Sequence, residues 1–218
     1  MPASGADSVG RADSAGRAGG ASRADGASSA SSASSAGGTA NRDVQELLLA
    51  RVRDVPDWPK PGIVFKDITP LLADPRTFAA AVEALTAPHR GTDVETVAGI
   101  EARGFVLGAP MALALGAGFV PVRKKGKLPG STVEVSYDLE YGSATLEVTA
   151  DAFRPGARVL VVDDVLATGG TAAATVDLVR RCGGDVVGVS VLMELGFLDG
   201  RAALAAVDIP QPHALLRV

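Results

Sequence analysis

The thirteen residues Val159-Leu160-Val161-Val162-Asp163-Asp164-Val165-Leu166-Ala167-Thr168-Gly169-Gly170-Thr171 constrain this chain more than any other stretch. Four successive apolar residues, three of them β-branched, read as a strand buried on both faces. Two adjacent acids end it, and a turn of small residues follows. The spacing then predicts a helix over 170–182, closed by Gly183-Gly184. A strand buried on both faces and followed at once by a helix points to an α/β fold, a mostly parallel sheet flanked by helices. The same residues carry chemistry. Gly169 and Gly170 let backbone amides approach a ligand, and a helix start favours an anion. Thr168 and Thr171 add hydroxyl donors, so residues 167–171 read as a cradle for a phosphate monoester. Asp163 and Asp164, acceptors when ionised, suit a vicinal diol such as ribose. A Walker-type loop is excluded because the Gly-Lys-Ser/Thr ending is missing, and no G-x-G-x-x-G follows a strand.

The rest of the chain repeats the alternation. Val44, Leu47, Leu48 and Val52 recur at helical spacing, with Asn41 as the expected cap. The Pro-rich run from Val55 to Gly62 reads as irregular, and Ile63-Val64-Phe65 as β-prone. Pro75 to Ala87 reads as a helix, with Asp74 as cap and Pro75 in the first helical position. Strands are expected over 96–100, 118–123, 144–149, 158–162 and 186–193, with a further helix over 104–115. The long charged stretch from Lys124 to Ser143 has the length of a lid, or of a β-hairpin arm. In parallel sheets ligands sit beyond the carboxyl ends of strands, so the chemistry is expected just after Ile100, Val122, Val162 and Met193.

Composition narrows the class. Of 218 residues 47% are hydrophobic, enough for one core and thin for two domains. Residues 1–40 are about three-quarters Ala, Ser and Gly, and Val9 is their only large aliphatic residue after Met1; such a segment cannot offset its ordering entropy. It reads as a disordered low-complexity tail ahead of a single domain over 41–218, and it lacks the apolar centre of a signal peptide. A net charge of -4 argues against a nucleic-acid binder. No apolar run is long enough to span a bilayer, which argues against a membrane partner. Cys182, the sole cysteine, fits a reducing, cytoplasmic setting.

The thirteen-residue motif closely resembles the phosphoribosyl pyrophosphate signature of the type I phosphoribosyltransferases, in the form V-V-D-D-L-L-A-T-G-G-T of their adenine-specific branch, with Val165 in place of Leu. The hypoxanthine-guanine branch carries an acid where this chain has Ala167, so the resemblance implies adenine and a proton-handling group elsewhere. Five further motifs lie along the chain in order. Trp58-Pro59-Lys60-Pro61-Gly62-Ile63-Val64-Phe65-Lys66-Asp67-Ile68 resembles the hood over the base, which implies adenine contacts from Val64, Phe65 and Lys66. Two departures stand in it: Trp58 for Phe or Tyr, and Lys66 for Arg. Glu101-Ala102-Arg103-Gly104 resembles the pyrophosphate loop, which implies contacts from Ala102 and Arg103 and a cis peptide near Glu101-Ala102. Arg123-Lys124-Lys125-Gly126-Lys127-Leu128-Pro129 resembles R-K-x-G-K-L-P, placing Arg123, Lys124 and Lys127 on pyrophosphate. Tyr137-Asp138-Leu139-Glu140-Tyr141-Gly142 resembles the centre of a mobile catalytic loop, and Glu194-Leu195 with the residues to Gly200 resembles E-L-x-x-L-x-G, whose Leu walls the base.

The resemblance implies transfer of the 5-phosphoribosyl group from 5-phosphoribosyl pyrophosphate to adenine, giving AMP and pyrophosphate, a purine-salvage reaction. Asp163 and Asp164 would hold the ribose diol near developing positive charge, and residues 167–171 would anchor the 5′-phosphate. Arg103 would assist the leaving pyrophosphate, and Glu140 would exchange the base proton. The cofactor expected is Mg²⁺, held mainly by substrate and water rather than by protein. The family is generally homodimeric. Two alternatives stand beside this reading. One is a non-catalytic regulator that senses phosphoribosyl pyrophosphate, which would need a DNA-binding module the tail cannot supply. The other is the same reaction on another base.

Overall fold

The computed structural model describes residues 41–138, 142–209 and 211–218; the expectations for the tail and for Glu140 fall outside them. Helix α1 covers 41–49. A two-stranded ribbon of β1 (Arg53–Pro56) and β2 (Val64–Asp67) follows, then α2 (Thr69–Ala73) and α3 (Pro75–Thr86). The main alternation is β3 (Thr96–Ile100), α4 (Arg103–Leu115), β4 (Gly118–Lys124), β5 (Thr132–Asp138), β6 (Ser143–Thr149), β7 (Arg158–Leu166), α5 (Gly170–Arg181), β8 (Asp185–Glu194), α6 (Gly200–Ala205) and β9 (His213–Arg217). The large sheet has seven strands in the order β5-β6-β4-β3-β7-β8-β9. Its five right-hand strands run parallel, while β6 joins β4 antiparallel and β5 returns on β6 as a hairpin arm.

β7 shows why this sheet needs helices on both faces. Val159 and Val161 face α5 and α6 (Val176, Leu178, Val179 and Leu204), whereas Leu160 and Val162 face α1 to α4 (Leu48, Leu71, Leu85, Leu107 and Met111). All four strand residues are fully buried, and each such side chain contributes roughly 1.5–3 kcal/mol. α4 leads from β3 outward to β4, and α5 leads from β7 outward to β8, on the other face. The strand order therefore reverses between β3 and β7, the place where such sheets open a crevice at their carboxyl edge.

Several expectations hold closely. Asp74 caps α3, accepting from the backbone N–H groups of Arg76 and Thr77 at 3.0 Å each, with Pro75 at its start. The predicted strands lie within one or two residues of those observed at β3, β4, β6 and β8. Others are corrected. Residue 41 is already helical, so Asn41 does not cap α1. Val55 and Pro56 are not irregular but end β1; in a ribbon with no further neighbour Pro56 has no obligatory ladder donor to lose. β7 runs on to Leu166, so Asp163 and Asp164 lie in the strand rather than after it, held there by pairing with β8 through Glu194. The stretch over 124–143 contains β5, whose Val133, Val135 and Tyr137 face the core at period two. Nothing in the sequence reading anticipated β9.

Candidate active site

The carboxyl ends of β3, β4 and β7 surround a cavity of about 480 Å³, lined among others by Ala102, Arg103, Lys124, Asp163, Asp164 and Thr168. Asp164 is buried, 7% exposed, and its Oδ2 accepts from Arg103 Nε at 2.6 Å. The Asp164 N–H donates to Asp163 Oδ1 at 2.8 Å. Burial, and then the adjacent Asp164 carboxylate, push the Asp163 carboxyl well above the usual range. Two carboxyls so placed favour a ligand that brings hydroxyl donors or positive charge. α4 reaches this edge because its second residue is Gly104, where a Cβ would lie 2.7 Å from the Val162 carbonyl oxygen.

The turn after β7 carries Ala167, Thr168, Gly169 and Thr171 on the cavity wall, while Gly170 faces a shallower groove beside α5. Gly169 has φ 83° and a Cβ there would lie 2.4 Å from the Gly200 carbonyl, so only glycine fits under the start of α6. Tyr137, given no separate role by the sequence, lines the same cavity, and its hydroxyl lies 3.0 Å from Thr171 Oγ1.

The Glu101–Ala102 peptide is cis, as expected. Glu101 Oε2 accepts from Arg123 Nε at 2.9 Å and from the Lys124 N–H at 3.0 Å. Burial raises the Glu101 carboxyl, but these two donors outweigh it and hold it below its ordinary value. The four expected cations therefore divide. Arg103 and Lys124 line the cavity, and Arg123 is turned onto Glu101, its guanidinium 5.7 Å from the Phe105 ring centre. Lys127 does not line the cavity, and its backbone N–H is held by Glu147 Oε1 at 2.7 Å. Glu147, 2% exposed, also accepts from the Leu128 N–H at 2.8 Å. Burial raises its carboxyl, but backbone donors at Leu128, Lys127 and Gly126 outweigh that and leave it lowered. The sequence reading missed this buried anchor of the basic turn: Glu147 stands with Thr145 and Thr149 on the polar side of β6, so the alternation of the strand carries no signal of its burial.

A second, smaller slot of about 110 Å³ adjoins the first. Val64, Phe65, Lys66 and Leu195, the residues of the hood and E-L motifs, all line it, together with Ile63, Ile68 and Met193. Trp58 packs edge-on against Phe65 with ring centres 4.4 Å apart, and the Arg103 guanidinium lies 5.3 Å from the Phe65 ring centre. Lys66 Nζ donates to Asp54 Oδ1 at 2.7 Å. Behind Leu195, the buried Glu194 receives Arg201 at both oxygens, at 2.7 to 3.0 Å; this hydrogen bonding outweighs desolvation and lowers its carboxyl. The Leu195 N–H donates to the Leu166 carbonyl at 2.9 Å, tying slot to cavity. Arg103, Asp164 and Val165 line both spaces. Among the described residues no three His, Cys, Asp or Glu side chains gather as a metal site, and no helix is long and apolar enough to cross a membrane.

Residues 71–209 match the family model described as phosphoribosyl transferase domain. The chain is 62% identical over 167 residues to adenine phosphoribosyltransferase of Thermobifida fusca, covering 77% of this chain and 95% of that protein. It is 63% identical over 176 residues to adenine phosphoribosyltransferase of Streptomyces coelicolor, covering 80% and 97%. The crystal structure of adenine phosphoribosyltransferase from Rhodothermus marinus superposes with a TM-score of 0.77 at 52% identity, covering 81% of this chain and 99% of that one.

Proposed function

The chain belongs to the phosphoribosyltransferase family, in its adenine-specific branch, and from that premise we propose that it transfers the 5-phosphoribosyl group of 5-phosphoribosyl pyrophosphate to adenine, releasing AMP and pyrophosphate. The observation that carries this reading is the junction of a polar cavity with an apolar slot at Arg103, Asp164 and Val165. A sugar phosphate fits the first and a flat base the second, so the anomeric carbon would lie where the two meet.

The displacement builds positive charge on the ribose ring as the bond to pyrophosphate breaks and the bond to the base nitrogen forms. Asp163 and Asp164 would accept from the ribose hydroxyls and stand beside that charge. Thr168, Thr171 and the backbone amides of 168–171, with Ala167 beside them, would anchor the 5′-phosphate and orient the sugar. Arg103, Lys124 and the Ala102 turn would receive the leaving pyrophosphate. Arg123 and Lys127 would join them, Arg123 by exchanging its Glu101 partner for phosphate oxygens. Phe65 would stack on adenine, with Val64, Lys66 and Leu195 around its edge. Glu140, outside the described residues, would take the proton that adenine loses. Mg²⁺ would supply charge neutralisation on the pyrophosphate oxygens. The adjacent carboxyls of Asp163 and Asp164 on the cavity wall would suit an ion held mainly by substrate and water.

We also propose a homodimer, supported by the exposed apolar face of α4, where Val106 and Leu113 stand two turns apart, 42% and 84% exposed. A cytoplasmic setting is supported by the single unpaired Cys182. Turnover on adenine, hypoxanthine, guanine, xanthine and orotate at saturating phosphoribosyl pyrophosphate tests the central reading. Adenine is expected to dominate, and a clear preference for any other base overturns the assignment.

A further inference from the structure

We propose that Tyr137 is a positioning residue of the 5′-phosphate cradle, its hydroxyl fixing and polarising the Thr171 hydroxyl that meets the phosphate; this rests on the reading of residues 167–171 as the phosphate anchor. Tyr137 stands on β5, in the antiparallel arm, far from the motif in sequence. Period two brings it to the site: Val133, Val135 and Tyr137 face α5 and the core, whereas Glu134 and Ser136 face outward to Lys125 and Thr145. Its ring packs against the core cluster, and its hydroxyl emerges in the cavity 3.0 Å from Thr171 Oγ1. Thr171 belongs to the first turn of α5, where its backbone carbonyl accepts from Thr175 Oγ1 at 2.9 Å.

The hydrogen count sets the direction of the chain. A threonine hydroxyl has one proton and two lone pairs. A dianionic phosphate accepts only, so when Thr171 gives its proton to phosphate the Tyr137 hydroxyl must be the donor to Thr171 Oγ1. The sequence Tyr O–H to Thr O–H to phosphate is then aligned, and each bond polarises the next. Tyr137 would also hold the Thr171 rotamer before substrate arrives, so less ordering remains to be done on binding. The hairpin arm thereby becomes part of the phosphate site without contacting the phosphate itself.

Tyr137→Phe keeps the packed ring and deletes one oxygen. The expected result is a rise in KM for phosphoribosyl pyrophosphate on the order of fivefold, the size of one net hydrogen bond. kcat, KM for adenine and Tm should stay within twofold or experimental error. Ribose 5-phosphate should bind the variant more weakly, and pyrophosphate equally well. A merely structural tyrosine would instead move Tm, or disturb pyrophosphate through Lys124 on the same wall. Thr171→Val is expected to raise the same KM by about tenfold, and the double variant to resemble Thr171→Val alone, because the relay has already been cut. If Thr171→Val weakens ribose 5-phosphate while Tyr137→Phe does not, the inference is overturned and the phosphate reading stands. Additive effects in the double variant also overturn it. If Thr171→Val has no effect, the phosphate reading fails and the inference with it.

Discussion

The two halves of the site are built in opposite ways. The phosphate side rests on a central strand paired on both sides, and it gets its chemistry from charges: Asp163, Asp164, Arg103 and Lys124. The base side rests on a two-stranded ribbon outside the main sheet. It offers mainly apolar surface, with Val64 and Trp58 each 52% exposed. A charged centre has to be held in fixed geometry before the reaction, since reorganising it during the reaction would cost what preorganisation gains. An apolar slot has no such need, and a light ribbon that packs on the base suffices. The difference predicts that substitutions on the two sides change different kinetic constants.

The largest effects should come from charges near the reacting atoms. Glu140→Gln is expected to lower turnover about a hundredfold or more, with little change in affinity for phosphoribosyl pyrophosphate. Turnover near that of the parent protein would refute a proton-handling role. Asp164→Asn should lower turnover by about a hundredfold, roughly 2.7 kcal/mol, while the fold survives. The side chain keeps its shape and loses the charge that meets Arg103 Nε at 2.6 Å. Steady-state kinetics with a thermal melt checks it, and an unfolded variant would show the acid to be structural.

A smaller effect is expected where the halves are joined. Arg201→Gln strands the Glu194 carboxylate, 3% exposed, leaving Arg217 at 3.8 Å as its compensating cation among the described residues. Leu195 sits next to that carboxylate, and Gly200 beneath Gly169. The expected outcome is a rise in KM for adenine of about tenfold, with a loss of several degrees in Tm. Adding Glu194→Gln removes the stranded charge and should restore much of the Tm. An unchanged KM for adenine in the folded single variant would show that Leu195 is placed without the ion pair.

The phosphate half was legible in the sequence because one continuous stretch encodes it: strand, acids, turn and helix lie in thirteen residues, and local rules read them. Val64, Phe65, Lys66 and Leu195 were found through motifs, and all reach the slot. What escaped depends on pairing between distant segments. Asp163 and Asp164 lie in β7 because β8 pairs as far as Glu194, which the composition of 163–166 does not announce. Tyr137 meets Thr171 only once the register of β5 on β6 is set, and Glu147 holds residues 127 and 128 only across β4 and β6. Arg123 was placed at the right strand end, but its orientation depends on Glu101 after another strand.

The smallest expected effect separates the fold from both halves of the site. His89 and His213 lie on the α3 face of the sheet, ring centres 6.0 Å apart, with Ser190 Oγ 3.1 Å from His213 Nδ1. His89 Nε2 is buried with no hydrogen-bond partner among the described residues. Burial, and then the neighbouring His213, lower His89 from 6.5 to about 4, and burial lowers His213 as well. Between these values the unfolded chain binds protons that the folded chain refuses, so stability is complete above pH 6.5 and falls as the pH drops towards 4. Asp163 acts with the opposite sign: its raised carboxyl weakens the fold at neutral pH and takes up a proton on acidification, relieving that cost. Glu95, Glu101 and Glu194 are held below their ordinary 4.5, so their contribution is lost only in more acidic solution. Among the described residues, melts between pH 7 and 5 therefore weigh the histidines against Asp163. With allowance for partial exposure, His89 should lower Tm by about 3 °C over this range. His89→Phe keeps an aromatic ring against His213 and loses no hydrogen bond at Nε2, so it should flatten the profile without lowering Tm at pH 7. Because the pair lies away from the cavity, KM for both substrates at pH 7 should be unchanged. A variant that melts along the parent profile would show that His89 does not carry the acid sensitivity.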